Sequence, residues 1–105
     1  MKLSTLQVGD RLEVHTAHSV YEMEIASFPT IYVRETIRYP IWTLATYCGM
    51  SGYDTGQEQY NISNIDQIKV GCHMFINDGN KEIKTSVVKS ITLYKKEIVE
   101  NVENW

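Results

Sequence analysis

The alternation in Val20-Tyr-Glu-Met-Glu-Ile-Ala26 constrains this chain more than any other feature. Tyr21, Met23 and Ile25 fall on one side, Glu22 and Glu24 on the other. A period of two suits a strand with one face buried and one face wet; a helix would wind the acids round every side. The preceding segment, Leu12-Glu-Val-His-Thr16, keeps the same period, with Leu12, Val14 and Thr16 opposite Glu13 and His15. Ala17-His18 lies between the two runs, so together they read as a β-hairpin.

The same reading extends along the chain. Pro29 and Pro40 each act as a break. Between them, Thr30 to Arg38 reads as a third strand, and Ile41 to Tyr47 as a fourth with Trp42 and Leu44 on one face. Cys48 to Gly56 carries three glycines and reads as a loop that turns sharply. Ile62, Ile65 and Ile68 recur every three residues, which fits either one helical turn or an irregular strand. Cys72 to Ile76 is a short strand, Asn77-Asp-Gly-Asn80 a type I′ turn, and Glu82 to Tyr94 the returning strand. Its alternation slips after Thr85-Ser86, as one extra residue in a bulge would cause. In the tail, residues 96–105, Ile98, Val102 and Trp105 have helical spacing and form an apolar stripe too short to stand alone. It would need to dock on the domain or on another subunit, which makes a homo-oligomer the expectation. Six or seven short strands imply an all-β fold: an antiparallel small barrel or rolled sheet over residues 1–95, with a short C-terminal helical tail.

At 105 residues, with 43% hydrophobic and 22% charged, the chain can bury a core without disulfides or a metal. Its net charge of −3 disfavours non-specific nucleic-acid binding, which runs on clustered Lys and Arg. Lys81, Lys84, Lys89, Lys95 and Lys96, with Tyr53, Tyr60 and Tyr94, could serve a single strand, but lysines guarding a sheet edge explain them better. No segment has the apolar length of a signal h-region or a membrane span, so the expected location is the cytoplasm, that of the host if the gene is a phage's. In that compartment Cys48 and Cys72 are expected as free thiols.

Candidate chemistry is sparse. His15, His18, His73 and the cysteines lack zinc-ligand spacing, so neither a metal nor a cofactor is expected. Gly49-Met-Ser51-Gly52 is one residue short of a nucleophile-elbow pattern. Glu13, Glu22 and Glu24 fit the wet face of a sheet better than an acid–base pair. The balance is against an enzyme. The glycine segment could offer backbone N–H groups to an anion, although glycine serves plain turns first. Two hydroxyl clusters stand out: Thr16, Ser19 and Tyr21 at the first hairpin tip, and Thr85, Ser86 and Ser90 on the last strand.

Thr16-x-x-Ser19-x-Tyr21 resembles the T-x-N-S-x-Y signature of a set of small, mostly uncharacterised bacterial and phage β-domain proteins, with His18 in place of the usual Asn. The likeness continues through Cys48-Gly-Met-Ser-Gly52, Ile68-x-x-Gly71-x-x-Met74-x-Ile76 and Thr85-Ser-Val87-Val-Lys-Ser-Ile91, over roughly residues 8–93. It brings no activity with it.

These features suggest a non-enzymatic binder of a small, nucleotide-like molecule. By analogy of size and style, a phage-encoded chain of this kind would act in counter-defence by sequestering a host signal. The alternative is a protein–protein inhibitor or adaptor with no small ligand. The expected site lies where Thr16, Ser19, Tyr21, Thr85 and Ser86 approach Gly49, Ser51 and Gly52, with Tyr53 and Trp42 as aromatic faces for a base. Phosphate charge would fall to backbone N–H groups, or to Arg34 or Arg38 of a neighbouring subunit.

Overall fold

The computed structural model describes residues 1–51 and 65–96. Six strands, β1 (Arg11–Thr16), β2 (Val20–Ser27), β3 (Thr30–Glu35), β4 (Tyr39–Ser51), β5 (His73–Asn77) and β6 (Glu82–Tyr94), pair in sequence order. The ladder closes where β6 pairs with β1, giving an antiparallel up-and-down barrel. Closure removes the free edges that an open sheet of this size would present. The period-two runs do what their pattern dictates. Leu12, Val14, Tyr21, Met23, Ile25, Ile31 and Val33 point inward and are buried; Glu13, Glu22, Glu24 and Arg34 line the outside.

Two long strands make so small a barrel close. β4 pairs with β3 through its first half and with β5 through its second, while β6 gives its first half to β5 and its second to β1. Each long strand must bend, and each carries an extra residue where it does. In β6 the pairings run from Phe75↔Lys84 to His73↔Val87, so the bulge falls at Thr85-Ser86 as the slipped alternation indicates. A second irregularity, between His15↔Ser90 and Thr16↔Val88, leaves Lys89 over. In β4 the extra residue lies between Tyr47↔Ile76 and Gly49↔Phe75, and Gly49 takes a φ of 114°, which an L side chain would resist.

That bulge corrects the reading of Cys48 to Gly56 as a loop: Cys48, Gly49, Met50 and Ser51 are strand, because the bulge turns the chain and pairing with β5 carries it on. Pro40 likewise does not end a strand. It is the second residue of β4, at a place where the β3–β4 register already jumps, so its missing N–H costs no regular ladder bond. The third strand stops at Glu35 rather than Arg38, because the Glu35 carboxylate accepts the backbone N–H groups of Ile37 at 3.1 Å and Arg38 at 2.6 Å and closes a turn. The β5–β6 hairpin closes one residue later than a tip at Asp78-Gly79 would: Asn77 pairs with Glu82 and the Asp78 N–H donates to Lys81 O, with Gly79 at φ 94° and the Asp78 carboxylate accepting the N–H groups of Asn80 and Lys81.

Side chains fill the barrel, as in other small barrels. Met74, Ile76, Ile83 and Val88 complete the lining, and Leu3 and Ile68 join the same core. The N-terminal segment is held there by a short ladder: Leu3 N–H donates to Asp66 O, Ile68 N–H to Met1 O, and Lys2 bridges Gln67. Of the isoleucine triplet, Ile65 is exposed and Ile68 buried, while Ile62 lies outside the described residues. The helical reading of Ile98, Val102 and Trp105 also falls outside them. No helix among the described residues is long and apolar enough to cross a membrane.

Candidate functional site

The first hairpin tip uses its hydroxyls on itself. Thr16 Oγ1 donates to Ser19 O at 3.0 Å and accepts the Ser19 N–H at 3.1 Å. The Ser19 hydroxyl lies near the Glu35 carboxylate and favours its charged form. Burial raises the Glu35 pKa, but the N–H of Arg38, the Ser19 hydroxyl and the N–H of Ile37 outweigh it, so the group titrates below the usual range. Tyr21 is buried beside Arg38 and Glu35, and burial pushes its phenol up. Tyr39, nearby, is pushed up to about 12 by burial and by its 3.1 Å bond to Asp78. Sequence reasoning passed over Glu35, although a carboxylate two and three residues before open N–H groups is a turn-closing signal.

The last-strand hydroxyls divide. Thr85 is buried in the β6 bulge, where its Oγ1 accepts the Met74 N–H at 3.0 Å and donates to Ser86 O at 2.8 Å. Ser86 Oγ accepts the N–H of His18 at 3.2 Å, and Ala17 N–H donates to Val87 O. The β6 bulge therefore meets the first hairpin tip, and Thr16, Ser19 and Ser86 come together there; whether they approach Gly52 to Gly56 falls outside the described residues.

Ser51 differs from the rest. It ends β4, is 0% exposed, and its hydroxyl has no hydrogen-bond partner among the described residues. Register pairs place it beside His73 of β5, which in turn opposes Val87 of β6. One step along, Gly49, Phe75 and Lys84 form the neighbouring row. Directly opposed residues share a face in an antiparallel pair. Met74 and Ile76 face the core, so both of these rows face outward. His73 Nδ1 lies 2.8 Å from Thr85 O, which orients the ring and favours the proton on Nδ1. The outer face of β4, β5 and β6 thus gathers a hydroxyl, an imidazole, an aromatic ring and an ammonium group. His73, Phe75 and Lys84 were not expected there, because only the cross-strand register reveals them. Gly52 and Tyr53, which follow Ser51 in the chain, lie outside the described residues.

Trp42 is placed elsewhere. It stands nine residues before Ser51 on β4, roughly 30 Å away at a strand's rise of about 3.3 Å per residue. Its ring takes the Arg34 guanidinium 4.6 Å from its centroid and the Arg11 guanidinium at 5.2 Å. Arg34 is also paired with Glu22 at 2.6 Å, and Arg11 with Glu24 at 3.9 Å. A shallow hollow of about 420 Å³ beside them is lined by Val20, Glu22, Arg34, Glu35, Thr36 and Pro40. Arg34 and Arg38 are thus engaged within their own chain, the latter beside Tyr21 and Glu35.

Among the described residues no three His, Cys, Asp or Glu side chains group as metal ligands, and Cys48 and Cys72 are free thiols. Burial raises the Cys48 pKa. No protein-family model, curated protein or solved structure matches the chain.

Proposed function

We propose that the chain is a non-enzymatic binding protein whose ligand is small and nucleotide-like, held on the outer face of β4, β5 and β6 around Ser51. The observation that carries this reading is the Ser51 hydroxyl, fully buried and without a partner among the described residues. Burying an unpaired hydroxyl costs roughly 1–3 kcal/mol. Folded proteins rarely keep such a group without use for it. Its neighbours on that face, His73, the buried Phe75 and Lys84, are of the types a nucleotide site uses, and each already has contacts of its own, so a ligand would join or replace those contacts. The filled barrel directs the ligand to the outer wall. Tight binding without turnover lowers the free concentration of its ligand, which is how a phage protein would sequester a host signal.

The hydroxyls of Thr16 and Thr85 serve this reading as scaffolding. Thr16 shapes the hairpin tip, and Thr85 holds β5 against β6 and, through its carbonyl, orients the His73 ring. Mass spectrometry of small molecules released from purified, heat-denatured protein tests the proposal. A phosphate-bearing aromatic compound, present in the wild type and depleted in Ser51→Ala, is the expected result. Equal amounts from both proteins would place the site elsewhere.

A further inference from the structure

We infer that the outer face of β1–β4 is the interface through which two copies of this chain pair. The register lays that face out in two rows: Arg11, Glu24, Tyr32 and Leu44, then Glu13, Glu22 and Arg34 with Trp42 beside them. Leu44 is 56% exposed and Tyr32 41%. Trp, Tyr and Arg are the residue types enriched where protein interfaces carry their energy. The patch is also organised in advance. Glu22 holds Arg34, Glu24 holds Arg11, and both guanidiniums lie against the Trp42 ring, so little side-chain freedom remains to be lost on contact.

Charge selects the occupant. Three carboxylates stand among two guanidiniums, so a nucleic-acid backbone or an anionic membrane would be repelled as much as attracted. A second copy fits. A two-fold axis running along the strands between β2 and β3 lays β2 of one copy over β3 of the other, and β1 over β4. Glu22 then opposes Arg34 of the second copy, Glu24 opposes Tyr32, and Arg11 reaches Leu44 and Trp42. Each contact occurs twice, as an isologous interface requires.

Sedimentation of the full chain across a range of concentrations tests this. The wild type should sediment at twice the chain mass. Leu44→Glu should sediment as a monomer that remains folded by circular dichroism, since an exposed leucine contributes little to the core. Glu22→Arg and Arg34→Glu, each alone, should weaken pairing at least tenfold, and the two together should restore it. A wild type that stays monomeric at every concentration overturns the inference. So does a folded Leu44→Glu that remains dimeric. Should Leu44→Glu fail to fold, the charge-reversal set decides: single variants that pair as tightly as wild type overturn the inference.

Discussion

The backbone N–H of Lys96 donates to Asp10 Oδ1 at 2.9 Å, joining two residues 86 positions apart. The other Asp10 oxygen accepts the Gln7 N–H, also at 2.9 Å, and Lys95 Nζ lies 3.9 Å from it. Asp10 is 1% exposed and precedes β1, while Lys95 and Lys96 follow β6. One buried carboxylate therefore ties the two strands at which the barrel closes. Asp10→Ala should lower the unfolding free energy by about 2–3 kcal/mol, because two donors lose a charged acceptor. Urea unfolding followed by tryptophan fluorescence measures this.

Acid should undo the fold through the same group. The Lys96 N–H, then the Gln7 N–H and the Lys95 and Lys96 charges, hold the Asp10 pKa below its ordinary 3.8. Glu35 is held below 4.5 by the hydrogen bonds that outweigh its burial. A carboxylate whose folded pKa is depressed contributes stability above the unfolded value and loses it as pH falls through the folded one. The melting temperature should vary little between pH 7 and about pH 5 on this account, and fall steadily below about pH 4. Glu35→Gln should shallow that acid limb in a calorimetric pH series.

Thr85 and Ser51 should respond oppositely to loss of their hydroxyls. Thr85→Val leaves the Met74 N–H buried without an acceptor and should cost about 1–3 kcal/mol. Ser51→Ala removes a buried hydroxyl that bonds to none of the described residues, so it should leave the ligand-free protein as stable or up to about 1 kcal/mol more so. Differential scanning calorimetry of the two variants separates scaffold from site.

What the sequence revealed was local. The β1–β2 hairpin follows from alternation among adjacent residues, the existence of a β5–β6 turn from Asp78-Gly79, although it closes one residue later, and the Thr85-Ser86 bulge from a slip within five. What it hid depends on partners distant in the chain. β4 runs on to Ser51 because Met50 and Ser51 find Met74 and His73, and no property of Cys48 to Ser51 alone announces that pairing. Trp42 belongs with Arg11 and Arg34 because side chains of β1, β3 and β4 reach toward one another over the barrel wall, which spacing along one strand cannot convey. Among the hydroxyls at 16, 19, 51, 85 and 86, residue type does not distinguish one that holds a turn from one without a partner among the described residues.

Titration calorimetry of wild type and Ser51→Ala against a panel of linear and cyclic nucleotides tests the central claim most directly. At least one nucleotide should bind the wild type saturably, with one site per chain. Ser51→Ala should bind it at least about tenfold more weakly, as loss of one buried hydrogen bond implies, without any drop in melting temperature. Absence of binding across the panel, or equal affinity in the two proteins, would contradict the account.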